Sequence, residues 1–207
     1  MKVLELFAGS RSIGKVADEL GYEVFSVDIN NFEGIDLVKD ILDLKKEDIP
    51  FIPDLIWASP PCTYFSVASI GHHWYENHTP KTKEAILGLK ILNKTILIFD
   101  WYKTSKFFME NPVGKMRRIV KGIDRATITY CSYDDKRMKP TDIWSNNIFD
   151  MFNLNGWKPK AKCFAGNKKC QHEEAPRGSK TGTQGMKNNY ERSKVPYELC
   201  KEILLSL

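Results

Sequence analysis

No stretch of this sequence stays apolar for anything near the ~20 residues that a membrane-spanning helix takes. That excludes a helical integral membrane protein. A basic and then apolar leader is missing too: a strand pattern, Lys2-Val3-Leu4-Glu5-Leu6-Phe7, begins at once, so the expectation is an intracellular, cytoplasmic protein. Cysteine is sparse, at positions 62, 131, 163, 170 and 200 of 207 residues. Five thiols cannot all pair, and Cys62, Cys131 and Cys200 fall in separate predicted elements. Reduced thiols are therefore expected rather than a disulfide framework. There is no internal repeat. What remains is a chain long enough for one α/β domain with a small accessory element.

Negative charge is scarce between Lys158 and Lys194. Lys158, Lys160, Lys162, Lys168, Lys169, Arg177, Lys180, Lys187, Arg192 and Lys194 are opposed only by Glu173, Glu174 and Glu191. Within a net charge of +5, this asymmetry suits a polyanionic partner, against the alternative of an ordinary solvated surface. Earlier in the chain, strand and helix signals alternate. Strands are predicted at Lys2–Phe7, Glu23–Val27, Ile35–Lys39, Asp54–Ser59, Lys106–Met109 and Ala126–Cys131. Helices are predicted near Ile13–Leu20, Thr82–Tyr102 and Lys115–Val120, with a last one at Pro196–Leu205. Tyr64–Pro80 reads as a loop. Strands separated by helices imply crossovers, hence a mostly parallel sheet with helices on both faces. From 145 to 189 the pattern gives way to a small basic, glycine-rich segment.

The richest stretch is Ser59-Pro60-Pro61-Cys62-Thr63-Tyr64-Phe65-Ser66. The apolar run Leu55-Ile56-Trp57-Ala58 before it reads as a buried strand, and two prolines stop the ladder and stiffen the turn. Cys62 is thereby held at the carboxyl edge of a sheet, where open α/β folds bind ligands. Phe107-Phe108-Met109-Glu110-Asn111-Pro112 reads as another strand ending in an acid. A thiol and a carboxyl group on neighbouring strand ends are the two parts needed for covalent chemistry on a pyrimidine ring. Phe7-Ala8-Gly9-Ser10-Arg11-Ser12-Ile13-Gly14 sits between a strand and a helix, where a nucleotide-binding turn and a plain structural turn are both compatible with the pattern.

Together these stretches resemble the DNA cytosine-5 methyltransferase family, in the form of a short phage or prophage-type member. Pro60, Pro61, Cys62, Phe65 and Ser66 match its Pro-Pro-Cys-x-x-Phe-Ser pattern, and Glu110-Asn111-Pro112 matches Glu-Asn-Val with proline for valine. The resemblance implies a Rossmann-like fold and S-adenosylmethionine as methyl donor. It implies a covalent bond from Cys62 to C6 of a flipped cytosine in double-stranded DNA, with Glu110 at N3 and Asn111 orienting the Cys62 loop. The cofactor residues it implies are Phe7, Ala8, Gly9, Ser10, Arg11, Ser12, Ile13 and Pro60. Asp28 with Ile29 would take the ribose, and Asp40 with Ile41 the adenine. Where the family usually has two further glycines, this chain has Arg11 and Ser12, and Arg11 is expected to reach the cofactor carboxylate or a DNA phosphate. Arg137 and Lys139 loosely match a basic motif that contacts the target base. Ser66, Lys139, Arg177 and Lys180 are the expected DNA contacts.

On this reading residues 1–144 form the catalytic domain and 145–189 a reduced DNA-recognition segment. Residues 190–207 return as a helix to the catalytic domain, and the protein is a monomer. The same chemistry on RNA or a free pyrimidine nucleotide, and a non-catalytic nucleic-acid-binding relative, are the alternatives. Cys163, Cys170 and His172 also suggest a structural zinc site. Their spacing is wider than a finger knuckle and gives no obvious fourth ligand, with Cys131, His72, His73 and His78 as distant candidates.

Overall fold

The structure is a computed structural model that describes residues 1–67, 69–164, 166–173, 186 and 188–207, with Asn189 described in its backbone only. Arg177 and Lys180 lie outside the described residues, as does nearly all of the glycine-rich stretch around them.

Seven strands form one mixed sheet: β1 (Lys2–Leu6), β2 (Glu23–Asp28), β3 (Leu37–Val38), β4 (Leu55–Ala58), β5 (Lys106–Pro112), β6 (Arg125–Thr129) and β7 (Pro140–Ser145). Their spatial order is β3-β2-β1-β4-β5-β7-β6. The pairs from β3 through β5 are parallel, and β7 runs antiparallel to both β5 and β6. The chain builds outward from β1 to β3, then returns to place β4 on the other side of β1. The crevice at the carboxyl ends of β1 and β4 is thus the topological switch point, where such sheets take their ligands.

The helices are α1 (Ser12–Glu19), α2 (Ile70–His73), α3 (Lys83–Trp101), α4 (Met116–Ile119), α5 (Asn189–Ser193) and α6 (Tyr197–Leu204). Strand side chains alternate between two packed layers, as the two-residue period requires. Leu4, Leu6, Ile56, Ala58 and Met109 face Leu92, Ile98 and Phe99 of α3. Val3, Leu55, Trp57 and Phe108 face Ile13, Val16 and Ala17 of α1 and Leu199 and Ile203 of α6. All four residues of β4 are buried, which is why it reads as an unbroken apolar run. Thr82 caps α3 by accepting from the Ala85 N–H at 3.2 Å, the reason that helix starts where it does.

Three elements differ from the sequence expectation. The strand expected at Ala126–Cys131 stops at Thr129, because Tyr130–Tyr133 wind into a 3-10 turn closed by Asp134 at φ +59°. That turn sends the chain back as β7, which has no apolar signature: it starts at a proline and contains Asp142. Asp142 is fully buried because Arg117 donates to both its oxygens, at 2.9 and 2.6 Å, and the Thr127 hydroxyl donates at 2.7 Å. The segment 64–80 is likewise more than a loop. It holds α2 and the buried Trp74, whose indole N–H donates to the Tyr64 carbonyl at 2.6 Å.

Candidate active site

β4 carries the chain to Cys62. The Cys62 carbonyl accepts from the Phe65 and Ser66 N–H groups at 3.0 and 2.9 Å, so the residues after it curl into a helical turn. Asn111, fully buried on β5, donates from Nδ2 to the Pro60 carbonyl at 2.8 Å. One side chain at the end of β5 thus fixes the backbone immediately before the thiol. On the far side of the loop, Lys115 N–H donates to the Phe65 carbonyl at 2.7 Å. Ser66 bridges to Gly114 and its hydroxyl lies 3.0 Å from that of Ser69.

Glu110 is 4 % exposed and precedes Asn111 on β5. Its Oε1 accepts from the Tyr130 hydroxyl at 2.8 Å and lies 3.6 Å from Lys139 Nζ. That ammonium also donates to the Arg192 carbonyl at 3.4 Å and stands 4.6 Å over the Tyr130 ring. Burial and the Glu110 carboxylate push the Tyr130 phenol well above its ordinary range, so Tyr130 stays a hydrogen-bond donor to Glu110. Burial also raises the Cys62 thiol. Lys139 pulls it back down and Glu110 pushes it further up. Sequence reasoning missed Tyr130, because a tyrosine after a strand has no motif of its own.

Of the two basic candidates, it is Lys139 that stands at Glu110. Arg137 donates to both carboxylate oxygens of Asp135 and to the carbonyls of Glu191, Arg192 and Lys194 at 3.2, 3.3 and 2.9 Å. Its guanidinium pins the segment before α6 to the catalytic body.

The loop after β1 is shaped by left-handed residues, with φ +57° at Phe7, +46° at Gly9 and +53° at Arg11. Gly9 N–H donates to Asp28 Oδ2 at 3.0 Å, and Asn30 N–H donates to Asp28 Oδ1 at 2.8 Å. Ser10 is buried, while Ile29 beside Asp28 is 62 % exposed. Asp40 accepts from the Leu42 N–H at 2.9 Å and Ile41 is buried. Ser12 Oγ accepts from the Val195 N–H at 3.0 Å. Arg11 turns back into the fold: its Nε donates to Ser26 Oγ at 2.9 Å and its guanidinium pairs with Asp18 at 3.1 Å. The N–H donors at the start of α1 are partly taken as well. Glu5, 1 % exposed, accepts from the Ile13 and Gly14 N–H groups, both at 3.2 Å. A Cβ on Gly14 would fall 2.5 Å from that carboxylate, so only glycine permits the approach. Burial raises the Glu5 pKa to about 8.

A protein of Frog virus 3 (isolate Goorha), named "Probable DNA (cytosine-5)-methyltransferase", is 30% identical to this chain over 181 residues, 84% of this chain and 79% of the viral one. The chain belongs to the DNA (cytosine-5)-methyltransferase family. No family model matches it. Among solved structures it is similar to Schizosaccharomyces pombe Dnmt2 (13% identity, TM-score 0.45), covering 70% of this chain and 48% of that one. A Spodoptera frugiperda DNMT2 variant gives 20% and 0.45 over 70% and 49% of the two chains. The Entamoeba histolytica methyltransferase EhMeth gives 14% and 0.48 over 78% and 55%. The chain spans about half the length of these solved structures' chains. As a member of this family it is a methyltransferase enzyme, and S-adenosylmethionine is its expected methyl donor. No described helix is long and apolar enough to cross a membrane.

Proposed function

We propose that this chain methylates C5 of cytosine in double-stranded DNA through a transient covalent bond from Cys62 to C6. One observation carries the reading. Cys62 follows the carboxyl end of β4, Glu110 lies on the adjacent parallel strand β5 one residue past its last pair with β4, and Asn111 ties the backbone after β4 to a side chain of β5. The residues around the β1 crevice suit the donor. The left-handed turn at Gly9 lets the backbone approach a ligand, Asp28 offers carboxylate oxygens with spare lone pairs, and the exposed Ile29 offers an apolar face to a planar base.

When bound, S-adenosylmethionine supplies an electrophilic methyl group on a sulfonium. The chain's own residues do the rest. Cys62 loses its proton to solvent and its sulfur adds to C6, which turns C5 into a nucleophile. Glu110, held by Tyr130 and Lys139, takes a proton from solvent and passes it to N3 as the ring takes up the electron pair. Once C5 has taken the methyl it loses its own proton to water. The C6–S bond then breaks with return of the N3 proton to Glu110. A thiol cannot reach C6 within a stacked duplex, so the base leaves the helix. The basic carboxyl-terminal third, with Arg177 and Lys180, faces the phosphates in this reading.

The test is to incubate the chain and labelled donor with DNA, RNA and dCMP in parallel, and with DNA containing 5-fluorocytosine. Label in DNA and a denaturation-resistant adduct at Cys62 are expected. Cys62→Ser is expected to lose several orders of magnitude in turnover. Full activity of that variant would refute the covalent route, and label in RNA or dCMP alone would refute the substrate.

A further inference from the structure

Cys131 lies in the 3-10 turn after β6, 32 residues before Cys163, and Cys170 and His172 follow in the irregular segment. In the folded chain all four meet: one ligand atom from each lies within 4.8 Å of every other. The three-membered cluster suggested by the sequence thereby gains its fourth member, and it comes from the turn that follows β6. His72, His73 and His78 are not part of it.

The set has the composition and spacing of a metal cage. With zinc–sulfur and zinc–nitrogen bonds of about 2.3 and 2.0–2.1 Å, a tetrahedral site puts neighbouring ligand atoms about 3.5–3.8 Å apart. Cys163 Sγ and His172 Nδ1 are 3.6 Å apart. Outer partners of the kind that orient metal ligands are in place. Asn167 Nδ2 donates to Cys163 Sγ at 3.3 Å. The Cys163 N–H donates to Thr129 Oγ1 at 2.8 Å, tying that ligand's backbone to the end of β6. Cys170 N–H donates to the Asn167 carbonyl at 3.1 Å. Three thiolates leave the caged ion one negative charge in excess, in a stretch that carries Lys162, Lys168 and Lys169.

We propose that Cys131, Cys163, Cys170 and His172 bind one zinc ion in a closed tetrahedral site of three sulfurs and one nitrogen. Four protein ligands fill the coordination shell, so the ion is structural and leaves no open position for substrate. Its place in the fold says what it holds. Cys131 adjoins Tyr130, the hydrogen-bond partner of Glu110. Just beyond His172, the Glu173 N–H donates to the Lys136 carbonyl at 2.9 Å. The chain before residue 174 is thus fixed to the catalytic body by zinc, and the chain from Glu191 to Lys194 is fixed to it by Arg137. The site does not depend on the substrate proposed above.

The test uses the full chain under reducing conditions, reconstituted with zinc ion alone and freed of excess. One zinc per chain is expected by elemental analysis, released on titration with a mercurial. Cobalt(II) in its place is expected to show the strong visible bands of a tetrahedral ion with a thiolate charge-transfer band. Removing the metal is expected to lower the melting temperature by several degrees. Cys131→Ser and His172→Ala are expected to weaken binding at least tenfold, and Cys62→Ala to leave metal content unchanged. The parent chain decides the matter even if a variant fails to fold. A reduced, folded parent that holds no zinc, or one whose cobalt spectrum is octahedral, overturns the proposal.

Discussion

Glu5 shows how much one buried carboxyl group can set. It sits in β1 among Val3, Leu4 and Leu6 and accepts two N–H groups from the start of α1. Burial outweighs these bonds and raises its pKa from 4.5 to about 8. Between those values the folded chain keeps a proton that the unfolded chain has released. The linkage therefore makes this contribution complete below about pH 4.5 and lost as pH rises through about 8. Glu5→Gln is neutral throughout. Urea unfolding of both proteins from about pH 5 to about 8 is expected to show the parent losing stability relative to the variant, on the order of a few kcal/mol across the range. A gap that stays level or grows in the parent's favour would contradict a neutral Glu5. Sequence reading singled out Cys62 and Glu110 because each stands in a motif. It passed over Glu5, whose only signal is a lone acid in a strand buried on both faces with a glycine nine residues on. Arg11 was visible as a departure from the expected glycines, but its turn toward Ser26 and Asp18 depends on β2 lying beside β1.

At the scale of elements, the Cys62 loop and the chain between β5 and α4 are pressed together at Gly114. A Cβ there would lie 2.2 Å from the Phe65 carbonyl oxygen, a backbone atom that cannot swing aside. Gly114→Ala is expected to push the loop away from Lys115 N–H, cost about 1–3 kcal/mol of stability and lower turnover tenfold or more. Gly71→Ala in α2, where a Cβ meets nothing within 4 Å, serves as the control and is expected to match the parent. Equal turnover in the two variants would show that the loop's position tolerates the shift. The parallel half of the sheet was legible because its strands are apolar runs ended by Gly, Pro or Asp. β7 was not, since its proline and buried Asp142 make sense only once Arg117 and Thr127 have folded against it. The anchoring of segment 64–80 was hidden for the same reason: Trp74 gives no periodicity signal, and its burial needs Phe65 and Lys115 in place.

Across the whole molecule, the groups proposed to react come from separate stretches that only the closed sheet brings together. Cys62 follows β4, Glu110 lies near the end of β5, Tyr130 and Lys139 flank the turn between β6 and β7, and the Arg192 carbonyl arrives from the segment before α6. Lys139 is the charge that joins them: it pairs with Glu110 and draws the Cys62 thiol down against burial. Lys139→Gln keeps a donor for the Arg192 carbonyl and removes the cation. The Cys62 thiol is then expected to ionise at higher pH, because desolvation and Glu110 both oppose the thiolate and the Arg192 cation that remains favours it less than Lys139 does. Alkylation of Cys62, followed by mass spectrometry over a pH series without donor or DNA, reads this directly. The parent's rate is expected to rise only above the ordinary thiol range, and the variant's curve to lie to its alkaline side. Coincident curves would mean that Lys139 acts on Glu110 alone and leaves the sulfur untouched. A shift would establish that a residue 77 positions away in sequence sets the reactivity of the nucleophile, as the convergence of these strands requires.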